Sequence, residues 1–187
     1  MILGMVGMIE YNIEIRDKEF RKAMSALAKQ NADLRPLFKR YQVIMIRSFN
    51  QNFKQEGRPK KWKPLSPSTV ANRRKGSKRI LQDTGQLRAS CAVESAPGNI
   101  TRFRKNSLVM GTNLKTAKWH QDGTDPYTIT PRHSKYLRFA TSSGWRFARQ
   151  VHHPGLPARP FIMIHDEDEK QMIEEAEKFS VDVMENL

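Results

Sequence analysis

The sequence predicts a single α+β domain, in which an antiparallel sheet of short strands packs with a long N-terminal helix and a C-terminal helix. Three observations carry that expectation. Apolar residues recur at three- and four-residue steps from Leu34 to Phe49 and again from Met172 to Leu187, the period of an amphipathic helix. Between these blocks, short β-rich runs are punctuated by Pro97-Gly98-Asn99 and Ser142-Ser143-Gly144. No internal repeat or low-complexity linker divides the 187 residues, so 1–187 reads as one domain, with a projecting basic loop over 54–79 and a hairpin insertion over 125–153.

In chain order, Ile9, Tyr11, Ile13 and Ile15 alternate with Glu10, Asn12, Glu14 and Arg16, the pattern of a half-buried strand. Asp17 then caps a helix to about Gln30, with Phe20, Met24, Leu27 and Ala28 on its apolar side. A longer helix follows Asp33, its core stripe formed by Leu34, Leu37, Phe38, Tyr41, Met45, Ser48 and Phe49. Gly57, Pro59, Pro64 and Pro67 rule out continuous helix from 57 to 66. Ser66-Pro67 starts a new one, with Ser as cap and Pro in the first turn, running to about Lys75 before Gly76 breaks it. Asp83-Thr84-Gly85, between Leu81 and Leu87, reads as a capped turn leading into another short helical piece.

From Cys91 the pattern turns to β. CAVES, ITRFR and SLVMGT read as strands, with Pro97-Gly98-Asn99 as a hairpin turn. TAKWHQDG reads as a short helix or turn ending at Gly123. YTITP, YLRFA and WRFARQV read as strands, with a second hairpin between the last two. Three prolines break regular structure in HHPGLPARPFI. The final helix starts at Asp166, and its first turn, Asp166-Glu167-Asp168-Glu169, complements the positive end of the helix dipole.

A net charge of +14 calls for a negatively charged partner or a strongly positive field. The charge is also segregated: residues 54–79 hold ten basic groups against Glu56, whereas 165–187 hold nine acids against two lysines. Such ends either pair head to tail between copies or serve as separate solvated faces. No run reaches the roughly 20 apolar residues of a membrane span, so no membrane partner is expected. The opening MILGMVGM lacks the basic flank and cleavage site of a signal peptide. Cys91 is the only cysteine, which excludes an intramolecular disulfide and reads as a buried thiol in a strand.

Catalytic patterns are missing from the sequence. His120, His133, His152, His153 and His165 fall in no HExxH spacing and have no CxxC to join them. Neither GxSxG, a Walker loop nor GxGxxG occurs, and the acid pairs lie mainly in the last helix. No catalytic residue, metal or cofactor is therefore expected. The basic stretch GRPKKWKPLSPSTVANRR, Gly57 to Arg74, is better suited to contact. Its lysines and arginines suit phosphates, and Trp62 either stacks on a base or plugs an apolar notch beside Pro64 and Leu65. Later in the chain, Pro157 and Pro160 fix an extended path that docks Phe161 and holds Arg159 at a set position. Arg159 then either belongs to the lead-in to the last helix or makes a salt bridge to another subunit. Gly85 permits a backbone turn or a close approach.

Five islands occur in order: Phe53-x-x-Glu56-Gly57-x-Pro59-x-x-Trp62-x-Pro64-Leu65-Ser66-x-x-Thr69, then RILQDTGQLRAS (79–90), VMGTN (109–113), AxWHQDG (117–123) and GLPARPFI (155–162). Together they resemble the phage virion morphogenesis family, which includes tail-completion proteins of P2-like phages and a Mu-like prophage protein. Where family members often carry Tyr-Ala before His-Gln, this chain has Lys118-Trp119, which keeps an aromatic there. The resemblance implies a non-enzymatic structural protein of the virion, assembled in the host cytoplasm and acting where tail meets head. It also implies a homo-oligomeric ring, expected to be a hexamer, that meets the connector or neck and the tail tube or sheath. On that footing Arg58, Lys60, Lys61, Trp62, Lys63, Arg73, Arg74 and Arg159 are the expected assembly residues, reaching a neighbouring subunit or, non-specifically, packaged DNA. Gly57, Pro59, Pro64, Leu65, Gly85, Leu87, Pro157, Pro160 and Phe161 are the expected structural frame. The alternative is a basic, non-specific DNA-binding accessory protein in packaging or regulation.

Overall fold

Helix α1, Arg35–Gln55, forms where the apolar stripe repeats at helical spacing, with Pro36 in the first turn where no backbone N–H is needed. The Asp33 carboxylate accepts the Arg35 backbone N–H at 3.0 Å and so serves as the cap that Leu34 cannot. The helix ends because Glu56 adopts the left-handed conformation at φ 55° and the Gly57 N–H returns to the Asn52 carbonyl at 2.9 Å. Its buried side is Leu37, Phe38, Tyr41, Ile44, Ser48, Phe49, Asn52 and Phe53, the expected stripe carried one turn further. The computed structural model describes residues 33–141 and 144–185, together with Lys22 and Ser25, both helical. The strand expected over 9–16, and the helix from Asp17 apart from those two positions, lie outside the described residues.

Two cores share α1. Its first half meets the last helix, α5 (Asp166–Glu185), through Leu34, Leu37, Phe38, Tyr41 and Ile44 against Met172, Ala176 and Phe179. Its second half, Phe49 and Phe53, packs with Trp62, Ile80, Leu81, Cys91, Ala117, Phe161 and Ile162, all from distant segments. Met45 touches both cores. Each large apolar side chain buried in this way contributes about 1.5–3 kcal/mol of transfer free energy.

The connecting elements bear out part of the expectation and correct the rest. Helix α2, Pro67–Ala71, is capped by Ser66, whose hydroxyl accepts the Thr69 N–H at 3.2 Å. It stops at Ala71 instead of reaching Lys75; a 3-10 turn follows at Arg74–Gly76, with Lys75 at φ 55°. Helix α3, Gln86–Ala92, starts from Gly85 in the left-handed region at φ 78°. It takes in Cys91 and Ala92, so CAVES is not a strand. The reason is spacing: Leu87 and Cys91, four apart, both pack on the second core, and that helical period outweighs local β preference. Pro97-Gly98-Asn99 consequently leads from helix to strand. The hairpin turn is Lys105-Asn106, between β1 (Asn99–Arg104) and β2 (Ser107–Thr112). Helix α4, Lys115–Asp122, ends at Gly123 as expected.

Among the described residues the strands make three separate two-stranded antiparallel sheets, not one sheet. The run WRFARQV divides between β5 (Gly144–Ala148) and β6 (Val151–His153). Strand β6 pairs with β3 (Tyr127–Ile129), whereas β5 pairs with β4 (Leu137–Thr141). Residues 127–153 thus form a two-tier ribbon: β3–β6 are its root, and β4–β5 the hairpin beyond it.

Candidate assembly surface

Trp62 decides the path of the basic loop. Its indole is 6% exposed and donates its N–H to the Pro160 carbonyl at 3.1 Å. The ring meets Phe53 edge-on at 5.9 Å between centroids, and Phe53 in turn lies 5.5 Å from Phe161. The Trp62 backbone N–H donates to the Glu56 carbonyl at 2.8 Å, and the Glu56 carboxylate accepts the Ile80 backbone N–H at 2.8 Å. These bonds hold 57–79 against the body at both ends, so the loop is a pinned surface and not a free projection. A cavity of about 710 Å³ opens beside it, lined by Lys61, Trp62, Pro64, Leu65, Val70 and Ile80 among others.

The GLPARPFI and WHQDG islands interlock on the same spot. The Gln121 side-chain oxygen accepts the N–H groups of Phe161 and Ile162 at 3.0 and 3.1 Å, and its amide donates to the Ile162 carbonyl at 3.1 Å. Arg159 donates through Nε and Nη2 to the Lys63 carbonyl at 3.2 and 2.9 Å. Its backbone N–H meets the His120 carbonyl at 2.8 Å. At Gly155, φ 84°, a Cβ would lie 2.1 Å from the Thr124 carbonyl oxygen, so only glycine allows the two strands of chain to touch. Pro157 and Pro160 are half-buried along this path, and Leu87 packs partly buried at its core.

Arg58 was expected to face a partner, and Arg159 either a partner or the lead-in to the last helix; both side chains are turned inward. Arg58 donates to Asn52 Oδ1 at 2.9 Å, Gln51 Oε1 at 2.6 Å and Ser48 Oγ at 2.8 Å. It also lies 3.6 Å from the Asp168 carboxylate, itself bonded to Ser48 Oγ at 2.5 Å. A guanidinium under α1 is tolerable only because this ring of acceptors replaces its hydration. His165 closes the cluster, its Nε2 being 3.0 Å from Asn52 Oδ1. Burial and then the Arg58 charge hold His165 below its ordinary pKa, while burial followed by Arg159 and Arg73 does the same to His120. Burial pushes the Cys91 thiol up to about 12, leaving it an inert core residue. Neither Asn52 nor Gln121 stands out as a site residue in the sequence, and Asp168 reads there only as one of four acids at a helix start. Ser48 and Asn52, one turn apart on an otherwise apolar stripe, were the available signal for the first of them.

Outward-facing charge therefore comes from the remaining basic residues. Lys60, Lys63, Arg74, Lys75, Lys78 and Arg79 are exposed, as are Pro59 and Pro64. Lys61 is exposed with its ammonium on the Gln55 carbonyl, and half-buried Arg73 donates to the Arg79 carbonyl. The opposite sign lies on α5, where Glu167, Glu174 and Glu177 face solvent. On its inner flank Glu175 and Asp182 each lie 3.2 Å from Arg40. Among the described residues no group of three His, Cys, Asp or Glu could hold a metal ion, and no helix is long and apolar enough to cross a membrane.

The motif islands thus interlock in one place, and exposed charge of opposite sign lies on the basic segment and on α5. The chain belongs to the phage virion morphogenesis family, whose profile matches residues 15–179, so its role lies in assembly of the phage virion, in contact with other virion proteins. Among curated proteins it is similar to the Mu-like prophage FluMu G protein 2 of Haemophilus influenzae. The two are 29% identical over 168 residues, covering 89% of this chain and 94% of that protein. No solved structure matches it. The family resemblance read from the five islands is thereby confirmed.

Proposed function

We propose that the protein is a non-enzymatic ring subunit of the head–tail junction of a tailed phage, acting in tail completion or as a tail terminator. The observation that carries this reading is the segregation of exposed charge along the chain. The exposed basic residues over 60–79, on a segment held by Trp62 and Arg159, and the exposed acids of α5 come from different segments. A ring needs a heterologous interface, in which one face of each subunit meets a different face of the next and the rotation closes. Opposite charges on different faces supply the register for such contacts and disfavour like faces meeting. Pinning matters as well, because a surface ordered before contact loses little entropy on binding.

A hexamer, docked between the connector or neck and the tail tube or sheath, is the assembly this reading expects. The exposed lysines and arginines reach the neighbouring subunit or, non-specifically, DNA in the channel. Light scattering and electron microscopy of the purified chain, with mass spectrometry of purified virions, test it. A ring in solution and the chain in the particle support it. A monomer absent from virions overturns it. Tight DNA binding at physiological salt would favour the accessory-protein reading instead, in a regulatory role if it is sequence-selective, whereas weak binding with a steep salt slope suits a channel lining.

A further inference from the structure

The hairpin β4–β5 has no evident reason to stand where it does. An isolated two-stranded hairpin is marginal in water unless a third layer covers it. Among the described residues the two strands pair only with each other, and large aromatics lie uncovered: Trp145 is 60% and Phe147 65% exposed. The register places Phe147 opposite Arg138 and Trp145 opposite Ala140 on one face, with Phe139 opposite Arg146 on the other. Arg138 lies 4.0 Å over the Trp145 ring, and Arg149 and Lys135 approach Tyr136 at 6.0 and 5.8 Å. Stacking of this kind holds a guanidinium in place while leaving its edge open for a carboxylate. No acid lies between Asp125 and Asp166, whereas Arg132, Lys135, Arg138, Arg146 and Arg149 all fall there.

A covering surface must therefore offer carboxylates and an apolar strip together, and the same chain carries one. On α5 the exposed residues Glu174, Glu177 and Val181 follow one another at helical spacing, with Glu167 two turns before Glu174. We infer that the β4–β5 hairpin is an arm by which one copy of this chain grips the next. It lies across the Glu174–Glu177–Val181 stripe of that copy's α5, with Arg138 as the ion-pairing residue and Trp145 and Phe147, on the same face, as the apolar contact. This inference rests on the ring reading and gives it a specific interface. Aromatic and arginine side chains at the centre, with charge at the rim, are the composition of an energetic contact patch. A nucleic-acid duplex would engage Arg138 yet leave Phe147 and Trp145 in water.

Charge exchange in the full-length chain tests it. Arg138→Glu, and separately Glu174→Lys with Glu177→Lys, should each reduce the wild-type oligomer to monomer by light scattering, with the circular dichroism spectrum unchanged. All three changes together should restore the oligomer. If the hairpin variant assembles like the wild type, or if the folded threefold variant stays monomeric, the arm is overturned while the ring reading stands. If Glu174→Lys with Glu177→Lys is rescued by Lys60, Lys61 and Lys63→Glu instead, the helix belongs to the basic loop and the arm is again overturned. The same holds if the hairpin variant keeps its mass but loses binding to a labelled DNA duplex. A wild-type chain that is monomeric both in solution and in particles ends both readings.

Discussion

Trp62 donates its indole N–H to the carbonyl of Pro160 at 3.1 Å, joining two segments that are ninety-eight residues apart in the chain. That bond, with the ring packed edge-on against Phe53, turns a proline-rich basic stretch into part of the second core. The stability of the core and the presentation of the basic surface are therefore coupled through one side chain.

Trp62→Ala should lower unfolding stability by about 3–5 kcal/mol, the range for removing a buried aromatic. Trp62→Phe keeps most of the ring contact and loses the hydrogen bond, for a loss nearer 0.5–1.5 kcal/mol from that bond. Urea unfolding followed by circular dichroism separates the two. Equal losses would mean the hydrogen bond, not the packing, dominates.

Gly57 and Gly76 offer a matched pair in the same loop. Gly57 sits at φ 108°, and a Cβ there would lie 2.5 Å from the Lys60 carbonyl oxygen and 2.8 Å from the Trp62 nitrogen, both backbone atoms. Gly76, at φ 61°, has nothing within 4 Å. Gly76→Ala should cost about 1–2 kcal/mol, the penalty for a left-handed alanine, and Gly57→Ala distinctly more. Thermal unfolding of both variants checks the order.

Asp168 and Arg58, with side chains 5% and 12% exposed, should behave as a unit. Asp168→Asn leaves the guanidinium without its carboxylate under α1, a loss of about 3–5 kcal/mol. Arg58→Met combined with Asp168→Leu should cost less than the two single changes added, because neither charge is then stranded. A double-mutant cycle in urea reads the difference directly.

Acid should weaken the fold through His120 and His165. Both are held below the ordinary 6.5 by burial first and by nearby arginines second. With the folded pKa below the unfolded one, the unfolded chain binds more protons once the pH drops, so stability falls as pH decreases from about 6.5 through the folded values. Above that range the two histidines contribute no slope. The variant His120→Gln with His165→Gln should flatten the dependence between neutral pH and pH 5 in urea midpoints measured across pH.

Lys60, Lys61 and Lys63 reversed to Glu should change stability within about 0.5 kcal/mol, since all three are exposed. The same variant should fail to form the ring or to join particles. Unchanged assembly and infectivity would remove the loop from the interface.

The two long helices were legible because a 3.6-residue apolar period survives in any context: the stripe from Leu34 to Phe49 is the buried side of α1. Caps were legible for the same local reason, as at Ser66, where the capping acceptor and the Thr69 N–H donor lie three residues apart. The family, too, could be read from islands of sequence. The direction of a charge could not. Arg58 sits in a run of lysines and reads as outward. It turns inward because Ser48, Asn52 and Asp168, from α1 and from α5 far along the chain, together supply the acceptors that replace water. The helical state of Cys91 and the division of the strands into three sheets were likewise decided by which distant surface each segment met. Sequence alone determined the helices, the breaks and the kinship, because these depend on neighbours in the chain. Tertiary structure alone decided which charges are spent holding the body together and which remain to meet another molecule, because burial is set by what the whole fold brings near.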